Sequence, residues 1–266
     1  MPISPQTAAI FFDTFGTTVQ WRTCVTKALK EASERALRDT RESLHPDVRA
    51  QASAMTDDNW HSMAEDWRAS YGRFTDTFDP SNGFVSVDQH HYDALLEILL
   101  SRQLEDLFTE SELQELVQCW HRLDPWDDTV QGLKMLSSQF RTSTLSNGNV
   151  SLLEDLVRYG SLPFTDITSA EHFGVYKPSP RVYLGAAEKL GFKPEQCVLV
   201  AAHLSDLKAA KACGFGTVYV ERVGEEFGSL EHAVDEGYVD LAVEMEVSSN
   251  GFIEVARQLG MSTEGL

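Results

Sequence analysis

The feature that most constrains this chain is an interruption. The apolar run Ala8–Phe12 reads as a β-strand and is followed at once by Asp13-Thr14-Phe15-Gly16-Thr17, after which residues 20–125 show only helical periodicity. Val25, Ala28, Leu29, Ala32 and Ala36 recur on one helical face, as do Trp60, Met63, Ala64, Trp67 and Tyr71, and then Tyr92, Leu95, Leu96 and Leu99. Thr109, with Glu112 three residues on, makes a capping box that opens another helix with the apolar face Leu113, Leu116, Val117, Trp120 and Leu123.

Beyond Pro125 the pattern becomes an alternation. It predicts a helix near Thr129–Gln139, a strand Arg141–Leu145, a helix from Val150, a short strand near Asp166–Ser169 and a helix from Pro180. A strand Cys197–Ala201, a helix from Asp206, a strand Thr217–Val220 and a last pair between Asp240 and Leu259 follow. Strands alternating with helices imply right-handed crossovers and a parallel sheet covered on both faces. The first strand belongs to that sheet. The expected fold is therefore α/β: a doubly wound parallel-sheet core, residues 1–20 plus 125–266, with an inserted helical cap domain at residues 21–124.

Composition narrows the partners. At 266 residues and 42% hydrophobic content the chain can fill such a core, which excludes a disordered chain and a disulfide-stapled miniprotein. Forty-one acidic against 22 basic residues leave a formal net charge of −19. Nucleic acid and anionic membrane are disfavoured as partners, because phosphate binding needs a basic face. An anionic small molecule would need a local basic exception. Cys24, Cys119, Cys197 and Cys213 show no CxxC pairing and read as ordinary thiols of a reducing compartment. With neither a signal-peptide pattern nor a run near the ~18 apolar residues that span a bilayer, a soluble cytoplasmic protein is expected.

Ligands of doubly wound sheets bind outside the carboxyl ends of the strands, so the polar residues there carry the functional information. Asp13 follows the first strand, Ser146-Asn147-Gly148 the second, Lys177 the third, and His203 and Asp206 the fourth. A carboxylate, a hydroxyl-amide pair, an ammonium and a second carboxylate thus reach one rim.

In this order, Asp13-Thr14-Phe15-Gly16-Thr17, Ser146-Asn147-Gly148-Asn149, Tyr176-Lys177-Pro178 and Ala201-Ala202-His203-Leu204-Ser205-Asp206-Leu207 resemble the haloacid dehalogenase superfamily, specifically its type II (S)-2-haloacid dehalogenase branch. Trp67-Arg68-Ala69-Ser70-Tyr71, Trp120 to Trp126, Arg181-Val182-Tyr183 and the tail Glu221 to Gly228 look like segments of the same branch. The resemblance implies hydrolysis of (S)-2-haloalkanoic acids to (R)-2-hydroxy acids and halide, with neither metal nor cofactor and with a small anionic 2-haloacid as substrate. It also implies a homodimer.

By the same resemblance Asp13 is the nucleophile, Lys177 offsets the repulsion between it and the substrate anion, and Asp206 acts on the water that cleaves the ester, supported by Thr17 and Tyr183. At ~4 Å and an effective dielectric near 20 that repulsion is roughly 4 kcal/mol, about three decades in rate. Ser146 and the backbone amides of Thr14 and Phe15 would hold the substrate carboxylate, while Arg68 and Asn147 would receive the halide.

Two alternatives stand beside this reading. One is a magnesium-dependent phosphatase of the same superfamily, against which Phe15 argues, since it occupies the place of the phosphatases' second aspartate. The fourth segment also offers Asp206 as its one carboxylate, where a hard cation wants several oxygen ligands. The other alternative is an inactive binding protein on the same scaffold. The chain departs from the branch at His203, where Asn is frequent, at Ser205, where an aromatic is frequent, and at Ser179, where Asp is frequent. His203 is expected to alter the halide or acyl pocket, and Ser179 to cap the helix that Pro180 begins.

Overall fold

The computed structural model describes residues 3–40, 44–245 and 250–261. They form two compact units, Met1–Gln20 with Asp124–Leu266, and Trp21–Leu123. In chain order the elements begin with β1 (Ala9–Phe12), β2 (Val19–Gln20), α1 (Trp21–Arg38), α2 (Pro46–Ala54), α3 (Asp57–Asp76), α4 (Val87–Ser101) and α5 (Glu110–Val117). The chain continues through β3 (Asp124–Pro125), α6 (Thr129–Ser137), β4 (Arg141–Thr144), α7 (Val150–Tyr159), α8 (Pro180–Leu190), β5 (Cys197–Ala201) and α9 (Leu204–Ala212). It closes with β6 (Gly216–Val220), α10 (Leu230–Asp235), β7 (Leu241–Val243) and α11 (Gly251–Gln258).

The larger unit is built on a five-stranded sheet of order β4-β1-β5-β6-β7, parallel throughout. Every residue of β1 is fully buried, as a central strand covered on both faces requires. The two-residue period of the strand sends neighbouring rings to opposite layers. Phe11 meets Phe215, which Tyr183 of α8 also touches, whereas Phe12 meets Phe252 of α11 at 5.0 Å. The doubly wound expectation therefore holds. β2 and β3 pair antiparallel where the chain leaves and re-enters this unit, a ladder that hydrophobic periodicity could not predict from two residues on each side.

One predicted strand is not a strand. Asp166–Ser169 makes only isolated bridges, Ser143 to Asp166 and Ser146 to Ser169. Hydroxyls stand in for part of its ladder: Thr168 N–H donates to Thr144 Oγ1, Thr144 Oγ1 to Thr168 O, and Thr165 Oγ1 to Thr142 O. Side chains that bond backbone groups in this way compete with regular pairing.

The smaller unit is helical. Its core gathers Trp21, Trp67 and Trp120 around His91, whose ring stacks on Trp120 at 4.3 Å and whose carbonyl accepts from Trp67 Nε1. The capping box at Thr109 and Glu112 is present, and Thr56 with Asn59 makes a second one. Leu96 turns outward and His91 takes the core face of α4. Trp120 lies on a 3-10 turn that follows α5 rather than on the helix itself. Among the described residues no helix is long and apolar enough to cross a membrane, and all four cysteines are free.

α6 packs on α11 so closely that a Cβ on Gly132 would lie 2.4 Å from Phe252 Cβ and 2.5 Å from its carbonyl carbon. Gly132→Ala would gain about 1 kcal/mol of helix propensity but overpack backbone, which costs about 1–3 kcal/mol. The expected result is net destabilisation, read as a lower urea midpoint at unchanged m-value.

Candidate active site

β1 lies between β4 and β5, and the chain visits them on opposite sides, so the loops after these three strands meet at a topological switch point. Asp13 continues β1 by one residue, its N–H donating to Val200 O. Ser146 and Asn147 lie just beyond β4, and His203 stands at the N-cap of α9, whose first turn carries Asp206. The loop before α8 delivers Lys177, and α8 itself Tyr183.

These side chains form one bonded chain. The Lys177 ammonium donates to Asp13 Oδ1 at 2.9 Å and to Asp206 Oδ2 at 2.5 Å, and Tyr183 donates its hydroxyl to Asp206 Oδ1 at 2.6 Å. Asp13 Oδ2 accepts from Thr17 Oγ1 at 2.8 Å and faces His203 Nδ1 at 3.1 Å. Asp13, Asp206, Thr17 and Tyr183 are all buried.

Burial alone would raise the Asp13 carboxyl, but the Lys177 charge, with the hydrogen bond and charge of His203, outweighs it and holds Asp13 far below the usual carboxylate range. Asp206 goes the other way, because its burial and the nearby Asp13 charge outweigh Lys177 and Tyr183. Lys177 itself loses to burial and regains more from the two carboxylates, so it stays an ammonium. Burial and the Asp206 charge push the Tyr183 phenol up, which keeps it a donor.

Lys177 is neutralised within the site by two carboxylates and does not stand as an uncompensated charge awaiting an anion.

Other candidates have further duties. Asn147 clamps the Lys177 backbone from both sides, Oδ1 accepting from Lys177 N–H at 2.7 Å and Nδ2 donating to Lys177 O at 3.3 Å. Ser146 Oγ accepts from Gly148 N–H. Phe15 is buried against Gly148, and the Thr14 hydroxyl is buried with no hydrogen-bond partner among the described residues. Arg68 lies in the helical unit on α3, its guanidinium carbon 4.7 Å from the Tyr71 ring centroid and 5.9 Å from that of Trp21. Ser179 sits at the N-cap of α8 without a side-chain cap bond, which corrects the capping expectation.

Sequence reasoning missed the residues that brace this rim. Glu226 caps α9, its Oε2 accepting from Leu204 N–H. The Glu225 side chain is buried, with Oε2 at 3.5 Å from His203 Nε2. Gly16 makes room for it: φ is +84° and an added Cβ would lie 2.2 Å from Glu225 Oε2. Arg222 donates through Nε to Thr17 O and forks onto Asp128, both partners being buried. Asp128 stands at the N-cap of α6 yet turns its carboxylate to Arg222 and to the Phe252 N–H of α11. The one hint had been that Glu221 to Gly228 resembles a family segment, which does not say what each residue touches. Among the described residues no group of three or more His, Cys, Asp or Glu is placed to hold a metal ion.

Residues 7–214 match the haloacid dehalogenase-like hydrolase family, and the chain belongs to it. It is 34% identical over 113 residues to (S)-2-haloacid dehalogenase 1 of Pseudomonas sp. (strain CBS-3), a match covering 41% of this chain and half the length of that relative. It is 31% identical over 176 residues to (S)-2-haloacid dehalogenase 4A of Burkholderia cepacia, covering 64% of this chain and 75% of the other. The crystal structure of a defluorinating L-2-haloacid dehalogenase superposes with a TM-score of 0.77 at 29% identity, covering 97% of this chain and 98% of that one.

Lys177→Met would leave two buried carboxylates without their cation, a loss of about 3–5 kcal/mol at neutral pH. In that variant the folded carboxyl pKa values lie above the unfolded ones, so the folded state binds more protons and its stability falls as pH rises. Urea unfolding is expected to show the deficit at pH 7 shrinking at pH 5.

Proposed function

We propose that this chain hydrolyses (S)-2-haloalkanoic acids to (R)-2-hydroxy acids and halide through an ester on Asp13. The observation that carries the reading is the buried Asp13–Lys177–Asp206 chain at the switch point of the sheet. A carboxylate kept ionised can attack C2 in line, forming a C–O bond as the C–halogen pair departs with the halide. Water then adds to the ester carbonyl, and cleavage of the acyl–oxygen bond releases the alcohol with C2 inverted once. Lys177 keeps the nucleophile anionic, and the raised Asp206 carboxyl gives a stronger base for the attacking water. Metal is not needed for either displacement.

Ser146 and the amides of Thr14 and Phe15 are assigned to the substrate carboxylate. Arg68 and Asn147 are assigned to the halide on the strength of the family resemblance. Because Asn147 already clamps the Lys177 backbone, its loss should lower activity by displacing the lysine as well as by any contact with halide.

The test is halide release from a panel of short 2-fluoro-, 2-chloro- and 2-bromoacids in the presence of EDTA. The expected outcome is metal-independent release of the (R)-2-hydroxy acid from (S)-2-chloropropionate. Asp13→Asn should lose at least about 10³-fold in kcat. In heavy-oxygen water, multiple turnovers should load label into the Asp13 carboxylate, seen by peptide mass spectrometry. Absence of halide release across the panel would remove the assignment.

A further inference from the structure

We propose that Arg222 and Asp128 are positioning residues for the Asp13 nucleophile, holding the turn that orients its carboxylate for attack on C2; this rests on the ester route above and deepens its first step. The nucleophile does not set its own direction. Its main chain is fixed at both ends, the N–H donating to Val200 O and the carbonyl accepting from Thr18 Oγ1 at 2.6 Å. The Thr17 hydroxyl accepts from Ala202 N–H at 2.9 Å, so its own proton is aimed at Asp13 Oδ2, 2.8 Å away. Thr17 and Thr18 thus share with Lys177 and His203 the control of where the carboxylate faces.

That turn is in turn held from outside. Three successive carbonyls accept side-chain donors: Gly16 O from Trp126 Nε1 at 3.1 Å, Thr17 O from Arg222 Nε at 3.1 Å, and Thr18 O from Thr129 Oγ1 at 3.0 Å. Arg222 is the centre of the set. Its outer nitrogens fork onto Asp128 at 2.6 and 3.0 Å, and its guanidinium carbon lies 5.2 Å from the Trp126 ring centroid. Asp128, the sequence neighbour of Thr129, also accepts from Phe252 N–H at 2.6 Å, which ties the pair to α11. Gly251 leaves the room for it: an added Cβ would lie 2.8 Å from Arg222 Nη1 and 2.9 Å from Asp128 Oδ2. A bonded chain therefore runs from α11 through Asp128, Arg222 and Thr17 to an oxygen of Asp13.

A purely stabilising duty explains this pair poorly. Taking two charges out of water offsets most of what their attraction returns, and apolar side chains of similar volume would fill the space about as well. What they could not supply is a donor to the Thr17 carbonyl. Nor does Asp128 serve as the cap of α6, since it makes no side-chain cap bond there. The fork has a geometric use instead. It holds both ends of the planar guanidinium, which leaves Nε–H fixed in direction toward Thr17 O.

The step at stake is the first displacement, in which an Asp13 oxygen bonds C2 and the C–halogen pair leaves with the halide. Rapid quench with enzyme in excess over (S)-2-chloropropionate reads it as chloride release in a single turnover, and urea unfolding of the same variants reads stability. Arg222→Met is expected to slow chloride release by about 10–10²-fold with little change in half-saturation, and to lower the urea midpoint. Arg222→Met combined with Asp128→Asn leaves no unpaired charge and keeps an oxygen for Phe252 N–H, so the midpoint should return toward the wild type while chloride release stays slow. Thr129→Val, nearly isosteric, should slow the same step by a smaller factor on an intact fold. Leu136→Ala, a buried cavity two turns further along α6, should lower the midpoint and leave the rate unchanged.

Chloride release that recovers together with the midpoint in the double variant, or that falls alike in Leu136→Ala and Arg222→Met, overturns the assignment and leaves the pair a structural tie. If Arg222→Met does not fold, the double variant and Thr129→Val decide, and wild-type rates in both overturn it. A wild type that releases no chloride, or takes no heavy oxygen into Asp13 while releasing it, overturns the ester route instead, and this assignment with it.

Discussion

Everything at the rim of the sheet depends on one buried ammonium. Lys177 is the counter-ion of both Asp13 and Asp206, and all three groups are almost wholly removed from water. Burying any one of them alone would cost several kcal/mol, so the cluster exists only because its geometry satisfies each charge. The same geometry divides the labour. Asp13, with Lys177 on one oxygen and Thr17 and His203 on the other, is held as an anion, while Asp206 shares Lys177 and is pushed toward neutrality. Two like residues in unlike surroundings take a nucleophile's part and a base's part.

A second buried ion pair lies behind the first. Arg222 forks onto Asp128, lies over the rings of Trp126 and Phe252, and holds the Thr17 carbonyl, so the turn carrying Thr17 is tied to the helix layer. Thr17 in turn accepts from Ala202 N–H while donating to Asp13. The strong acidity of the chain therefore does not stop at its surface. The buried cations of the α/β unit are each committed to carboxylates, and Glu225 adds another acid beside the nucleophile.

Much of this was legible in advance because it is local. A strand, a turn and a helix are specified by period and by nearby residues, so β1, β4, β5 and β6 fall close to where the alternation puts them. Asp13, Ser146 and Asp206 were recognisable because each follows a strand end that the pattern marks. The false strand at Asp166–Ser169 shows the limit of that logic, since a Thr-rich segment looks extended in sequence while its hydroxyls take over backbone pairing. Leu96 and His91 show another: helical period marks a face to within a residue or so, and packing decides which neighbour turns inward.

The sequence by itself determined the class of fold, the insertion after the first strand, and the residues that could do the chemistry. Tertiary structure alone decided what those residues are. Lys177 turns out to be shared by two carboxylates, Asn147 to clamp that lysine's backbone, and Asp128 to hold Arg222. Glu225 had no legible role at all, because its partners His203 and Gly16 come from other segments of the chain. The physical reason is that a charged side chain's properties are set by the water it loses and the charge it meets, and folding supplies both from parts of the chain that no local pattern relates.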